Sequence, residues 1–169
     1  MQKVLCFGEL LLRISPSPDN HAMDKHPMLL YMGGAEANTA TALAAWGTPV
    51  KYCTALPDNF MSTHVVDYLE YKGIYTSSII YTGNRIGIYY LERGADLKSG
   101  VVYDREHSSF SQLKRGMIDW DKILRDVDWL NLTAINVINS SGKENQPADC
   151  PSVFAYRCLV HGSVSLRMI

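Results

Sequence analysis

Residues 28–47 constrain the fold of this chain more than any other stretch. A strand-length apolar run, Met28-Leu29-Leu30-Tyr31-Met32, meets Gly33 and Gly34 and is followed by the alanine-dominated residues 35–46 and then Gly47. Alanine is the best helix former, and a glycine just past the last turn supplies the left-handed stop. The piece reads as strand, tight turn, helix. Side chains this small let the helix lie close against a sheet, which points to an α/β architecture with a mainly parallel sheet.

The flanking sequence repeats that alternation. Residues 3–7 form an apolar run closed by Gly8, residues 50–55 a second, and residues 60–72 a helix ended by Gly73. Within that helix Val65, Val66, Tyr68 and Leu69 are expected to form its apolar face. A short helix is predicted over residues 121–125 and a strand over 127–132. Other strand-like pieces, at residues 10–14, 28–32, 78–81, 86–91 and 101–103, do not fit the alternation. They are expected to be antiparallel strands added outside the main sheet, over about residues 10–32 and 79–105.

Sixteen Lys and Arg against seventeen Asp and Glu leave a net charge of −1, so no basic excess drives binding to nucleic acid. No apolar run approaches the roughly 20 residues that span a bilayer. The apolar start breaks at Gly8-Glu9, too early for a secretory core, and a cytoplasmic protein without nucleic-acid or membrane partners is expected. Cys6 and Cys53 fall in apolar strands and read as small core hydrophobes. Cys150 and Cys158 add no metal-ligand spacing, none of the five histidines sits at such spacing, and no metal site is expected.

Two constellations offer chemistry. At the strand-to-helix junction, Gly33 and Gly34 permit close backbone approach, and the helix start beyond them presents unpaired N–H groups. Asn38 in the first turn can donate to and accept from a polyhydroxylated ligand. The same residues also serve a tight turn and an ordinary helix start. In the second constellation, Tyr89 shares a strand face with Gly87, and Tyr103 shares one with Arg105. A guanidinium beside a phenol can hold a carboxylate while the phenol orients a hydroxyl. Tyrosine is equally a favoured strand residue, and Arg105 can be an edge charge. The glycines do not form the dinucleotide fingerprint, and no nucleophile elbow or phosphate loop occurs; Ser141-Gly142-Lys143 lacks the upstream glycine.

Val4-Leu5-Cys6-Phe7-Gly8-Glu9-Leu10-Leu11 followed by Gly33-Gly34-Ala35-Glu36-Ala37-Asn38-Thr39-Ala40 resembles the N-terminal half of pfkB (ribokinase-like) sugar kinases. The resemblance is closest to 2-keto-3-deoxygluconate kinases. Trp46-Gly47, the segment 51–59, Gly87-Ile88-Tyr89 and Tyr103-Asp104-Arg105 extend it over about residues 3–135. It implies a three-layer α/β fold whose parallel sheet carries a small β-sheet lid, and a homodimer formed through that lid. It also implies ATP-dependent phosphorylation of a sugar-acid hydroxyl with Mg²⁺. By position, Gly33, Gly34 and Asn38 would meet sugar hydroxyls, while Tyr89, Tyr103 and Arg105 would hold the acid end.

Asn59 and Met61 depart from the acidic and glycine positions of the family turn. The family's Gly-Ala-Gly-Asp anion hole, catalytic aspartate and ATP-binding residues have no counterpart in this chain. Residues 136–169 show no correspondence and read as a divergent tail, as a frameshift would produce. The expectation is an incomplete, inactive sugar kinase with no catalytic or cofactor-binding residues of its own. The alternative is a non-catalytic lid-mediated dimer or sugar-binding module; an unrelated nucleotide-binding α/β domain rests on the alternation alone.

Overall fold

The computed structural model describes residues 2–17, 27–92, 100–133 and 163–167. Its central sheet is built from β1 (Val4–Phe7), β4 (Val50–Cys53), β6 (Ile74–Tyr75), β10 (Trp129–Thr133) and β11 (Ser163–Arg167), in the order β11-β10-β1-β4-β6. All neighbours are parallel except β11, which runs antiparallel to β10. The alternation predicted from sequence is therefore realised. Residues 134–162, including most of the expected tail and Ser141-Gly142-Lys143, lie outside the described residues, as do Cys150, Cys158, His21, His26 and His161. The strand β11 was not anticipated in the divergent tail; it takes the edge of β10.

Both faces of the central sheet are buried, which is why its strands read as unbroken apolar runs. On one face Cys6, Val50, Tyr52 and Ile74 pack with Ala37 and Ala40 of α1 (Ala35–Ala45) and Val65 and Leu69 of α2 (Phe60–Tyr71). On the other, Leu5, Phe7, Cys53, Leu130 and Leu132 pack with Ile118, Trp120 and Val127 around α3 (Trp120–Leu124). Phe7 meets Trp120 edge to face, with ring centroids 5.1 Å apart. Gly47 and Gly73 stand past α1 and α2 at φ 78°, as a left-handed stop requires. The side chain of Asn59 caps α2 by accepting from the Ser62 N–H. Tyr68 does not join the buried face of α2: it is exposed, with the Lys72 ammonium 5.3 Å from its ring.

The irregular strands other than that at 78–81 form a second sheet, the lid, from β2 (Leu11–Pro16), β3 (Met28–Gly33), β8 (Gly87–Leu91) and β9 (Val101–Asp104), in the order β3-β2-β8-β9. The expectation of antiparallel pairing holds for β2 with β3 and for β8 with β9, but the two hairpins join through a parallel β2–β8 pair. The long connection between β3 and β8 contains α1, β4 and α2, and so permits a parallel join. The predicted strand over 50–55 is interrupted: β4 ends at Cys53, and β5 (Ala55–Leu56) pairs instead with β7 (Ile80–Tyr81), in parallel, so the piece at 78–81 is not the antiparallel strand expected. Cys6 and Cys53 are buried and free, as expected, and desolvation pushes both thiols up to about 12. Among the described residues no helix is long and apolar enough to cross a membrane.

Candidate functional site

The carboxyl ends of β1 and β10, the tip of α1 and one face of the lid converge. In open α/β sheets this is the end at which ligands bind. Register and the two-residue period of strands place Gly33, Leu11 and Gly87 in one row across the lid, and Tyr31, Arg13, Tyr89 and Tyr103 in the next row on the same face. Arg105 continues the first row, because its Cβ lies 3.2 Å from a Cβ built on Gly87. The rings of Tyr89 and Tyr103 are 6.0 Å apart.

The glycines are there because of their neighbours. A Cβ on Gly33 would stand 2.7 Å from the Tyr89 hydroxyl, so a side chain at 33 would displace the phenol. A Cβ on Gly87 would stand 2.6 Å from Oε1 of Glu9. Gly34 is at φ 115°, a region closed to other residues, and a Cβ there would lie 2.6 Å from the Glu9 carbonyl oxygen. Gly34 opens α1 without a side-chain cap, so the helix start is formed by backbone alone at this junction.

Glu9 is the hub that sequence reasoning missed. Its carboxylate is buried, pairs with the Arg105 guanidinium and accepts a hydrogen bond from the Ser108 hydroxyl at 2.6 Å. Arg105 is thereby fixed in orientation and its charge is balanced. A signal was available: an acidic residue directly after a glycine at the carboxyl end of the first strand stands where α/β sheets receive ligands.

A second buried carboxylate, Glu36 in the first turn of α1, accepts from both the N–H of Thr133, at 2.8 Å, and its hydroxyl. It ties the end of β10 to the helix tip. Tyr52, wholly buried beneath, donates to the Gly8 carbonyl at 3.3 Å. Burial, followed by the nearby Glu36 charge, pushes the Tyr52 phenol far above its ordinary range, so it stays a neutral donor.

Five of the six residues expected in a site therefore lie in one connected cluster. Gly33, Tyr89, Tyr103 and Arg105 share the lid face, and Gly34 joins them through Glu9. Asn38 stands apart from these contacts. It is exposed, and its N–H closes the first helical hydrogen bond to Gly34 at 3.0 Å. Arg13 and Tyr31 share the face without having been anticipated; the Arg13 guanidinium carbon lies over the Tyr31 ring, 4.0 Å from its centre. A groove of about 560 Å³ beside Leu43, Trp46 and Trp129 lies at the opposite end of the strands, away from all of these groups.

Residues 1–145 match the family model described as pfkB family carbohydrate kinase. The chain is 42% identical to the solved 2-dehydro-3-deoxygluconokinase of Thermotoga maritima, with a TM-score of 0.73, covering 80% of this chain and 42% of that one. It is 29% identical to the 2-dehydro-3-deoxygalactonokinase of Haloferax volcanii over 61% of this chain and 33% of that protein. The fold also matches a fructokinase of Xylella fastidiosa solved with bound ATP, at 21% identity and a TM-score of 0.65, over 74% of this chain and 39% of that one. The chain thus spans less than half the length of each of these relatives.

Proposed function

Because this chain belongs to the pfkB family of carbohydrate kinases, its fold being the N-terminal part of the ribokinase-like architecture, we propose that it supplies the acceptor-side cradle of a kinase for a 2-keto-3-deoxy sugar acid. The observation that carries this reading is the single lid face on which Gly33, Tyr89, Tyr103 and Arg105 gather beside the start of α1. In this reading the backbone at Gly33 and Gly34 admits the sugar closely, and Asn38 reaches its hydroxyls from the first turn of α1. Tyr89 and Tyr103 orient the acid end by their phenols. Arg105, held by Glu9 and Ser108, directs its remaining N–H donors at the carboxylate.

ATP with Mg²⁺ is the phosphoryl donor this family implies, the metal supplying charge neutralisation when bound. The described residues do not fit a triphosphate. The buried carboxylate of Glu36 lies against Gly8 and that of Glu9 against Gly87, where it offsets Arg105, so this end of the sheet holds no excess of positive charge for phosphate oxygens. Among the described residues, no three His, Cys, Asp or Glu side chains stand together as a metal site. We therefore assign these residues to the sugar alone and expect the 169-residue chain by itself not to turn over ATP. Calorimetric titration with 2-keto-3-deoxygluconate, alongside an assay for its ATP-dependent phosphorylation, tests both halves. Binding without turnover is expected; turnover by this chain, or no sugar binding, overturns the reading.

A second reading concerns the outer face of the lid. Leu30, Ile14, Tyr90 and Val102 line up across all four strands, and Leu30, Tyr90 and Val102 are exposed. A continuous apolar row of this kind suits a second copy of the chain, giving a lid-mediated homodimer. Light scattering is expected to show a dimer that Leu30→Glu dissociates; a monomeric wild type removes this reading and leaves the first intact.

A further inference from the structure

We propose that Arg13 is a specificity-determining residue of the cradle: it supplies the uncompensated positive charge that selects an anionic substrate over a neutral one. This rests on the reading of the lid face as a sugar-acid site. Arg105 is the obvious guanidinium there, but its charge is already balanced by the buried carboxylate of Glu9. A substrate carboxylate approaching Arg105 also approaches Glu9, so that pair gives directed donors without net attraction. Arg13 has no carboxylate partner among the described residues.

Its placement fits the role. Arg13 stands between Tyr31 on β3 and Tyr89 on β8 in strand register, one row outward from Gly33 and Gly87. Neighbouring strands lie about 4.8 Å apart, so Arg13 is within side-chain reach of the Tyr89 phenol's position. Its guanidinium carbon lies 4.0 Å from the centre of the Tyr31 ring, a cation–π contact that restricts its position before any ligand arrives. Its Nε is shielded from solvent and makes no hydrogen bond among the described residues. A buried, unpaired donor on a half-buried cation lacks the acceptor such groups normally have. A carboxylate is the planar acceptor whose two oxygens match a guanidinium edge.

Charge selection separates this role from a merely structural one. The probes are 2-keto-3-deoxygluconate and its methyl ester, which keeps the skeleton and removes the charge, titrated calorimetrically into the full chain. Wild type is expected to prefer the acid. Arg13→Met is expected to weaken the acid about tenfold or more while leaving the ester within about twofold, as loss of a charge-assisted contact requires. Arg13→Lys, which keeps the charge without the fork, is expected to retain an acid preference and to carry the test if the methionine variant does not fold. Equal losses for acid and ester, or no loss for either, overturn the assignment of Arg13 while leaving the sugar cradle standing. A lysine variant with no acid preference also overturns it. Wild type binding neither probe overturns the cradle itself, and Arg13 with it.

Discussion

The central sheet and the lid are built from similar apolar residues and use them differently. In β1, Leu5, Cys6 and Phe7 are all at most 3% exposed, whereas in β9, Val101, Val102 and Tyr103 expose 44%, 62% and 56%. A strand covered on two faces contributes stability; one covered on a single face leaves the other to do something else. The lid joins the core through Leu12, Met32 and Ile88, and beyond them it carries the candidate chemistry on one face and an exposed apolar row on the other. The sharpest way to break this contrast is to remove a leucine from each sheet. Leu130→Ala, at a wholly buried position in β10, is expected to cost about 3–5 kcal/mol in urea unfolding. Leu30→Ala in the lid, half exposed, is expected to stay within about 0.5 kcal/mol. Comparable losses would mean that the Leu30 row of the lid is also part of the core.

Gly34 is where the two regions meet, between the last residue of β3 and the first of α1. Its φ of 115° and the Glu9 carbonyl 2.6 Å from a would-be Cβ make it a more demanding glycine than Gly47, which has φ 78° and open space around it. Gly34→Ala is expected to destabilise by about 2–3 kcal/mol through strain and displaced backbone, and to abolish sugar binding. Gly47→Ala is expected to cost about 1 kcal/mol and leave binding unchanged. Unfolding curves and sugar titration on both variants check this. A Gly34 variant that binds normally would show that the junction does not shape the cradle.

The same contrast explains what the sequence disclosed. Central strands were legible because burial on both faces makes them apolar throughout, and the helices between them end at glycines whose φ is 78°. The short β6 was missed because two residues carry no period. The break between β4 and β5 was missed because Thr54, between them, is fully buried within the same apolar run. In the lid, the strands were visible but the parallel β2–β8 join was not, since it pairs residues more than seventy positions apart. Tyr68 went wrong for a related reason: three residues on from Val65 it falls at the rim of the stripe, where an aromatic keeps one face in water. In the site, glycines, tyrosines and Arg105 stood out by type and spacing. Glu9 did not, because its partner Arg105 is 96 residues away and only the fold brings them together. Arg13 escaped for the same reason, its neighbours Tyr31 and Tyr89 coming from two other strands.

Charge pairs extend the comparison to its smallest effect. At the site end, Glu9 is 3% exposed and its partner Arg105 25%, so that pair is shielded from salt. At the opposite end of the central sheet, Asp126 is 49% exposed and pairs with both Lys3 and Lys51. Hydrogen bonds from Lys3 and then Lys51 hold the Asp126 carboxyl down, from 3.8 to about 2. A carboxyl whose pKa is lower in the folded state stabilises fully above its unfolded value, and that contribution is lost as pH falls toward the folded one. The Asp126 contribution is therefore intact at pH 7, declines below about pH 4 and is gone near pH 2. Solvent screening limits it to under about 1 kcal/mol despite the size of the shift. Asp126→Asn is expected to lower stability slightly at pH 7 and low salt, with the gap to wild type closing as pH falls toward 2 or as salt is raised. Urea unfolding of both proteins at two pH values and two salt concentrations reads this directly. A gap that persists at high salt would place Asp126 in the same class as Glu9, as a residue the fold depends on.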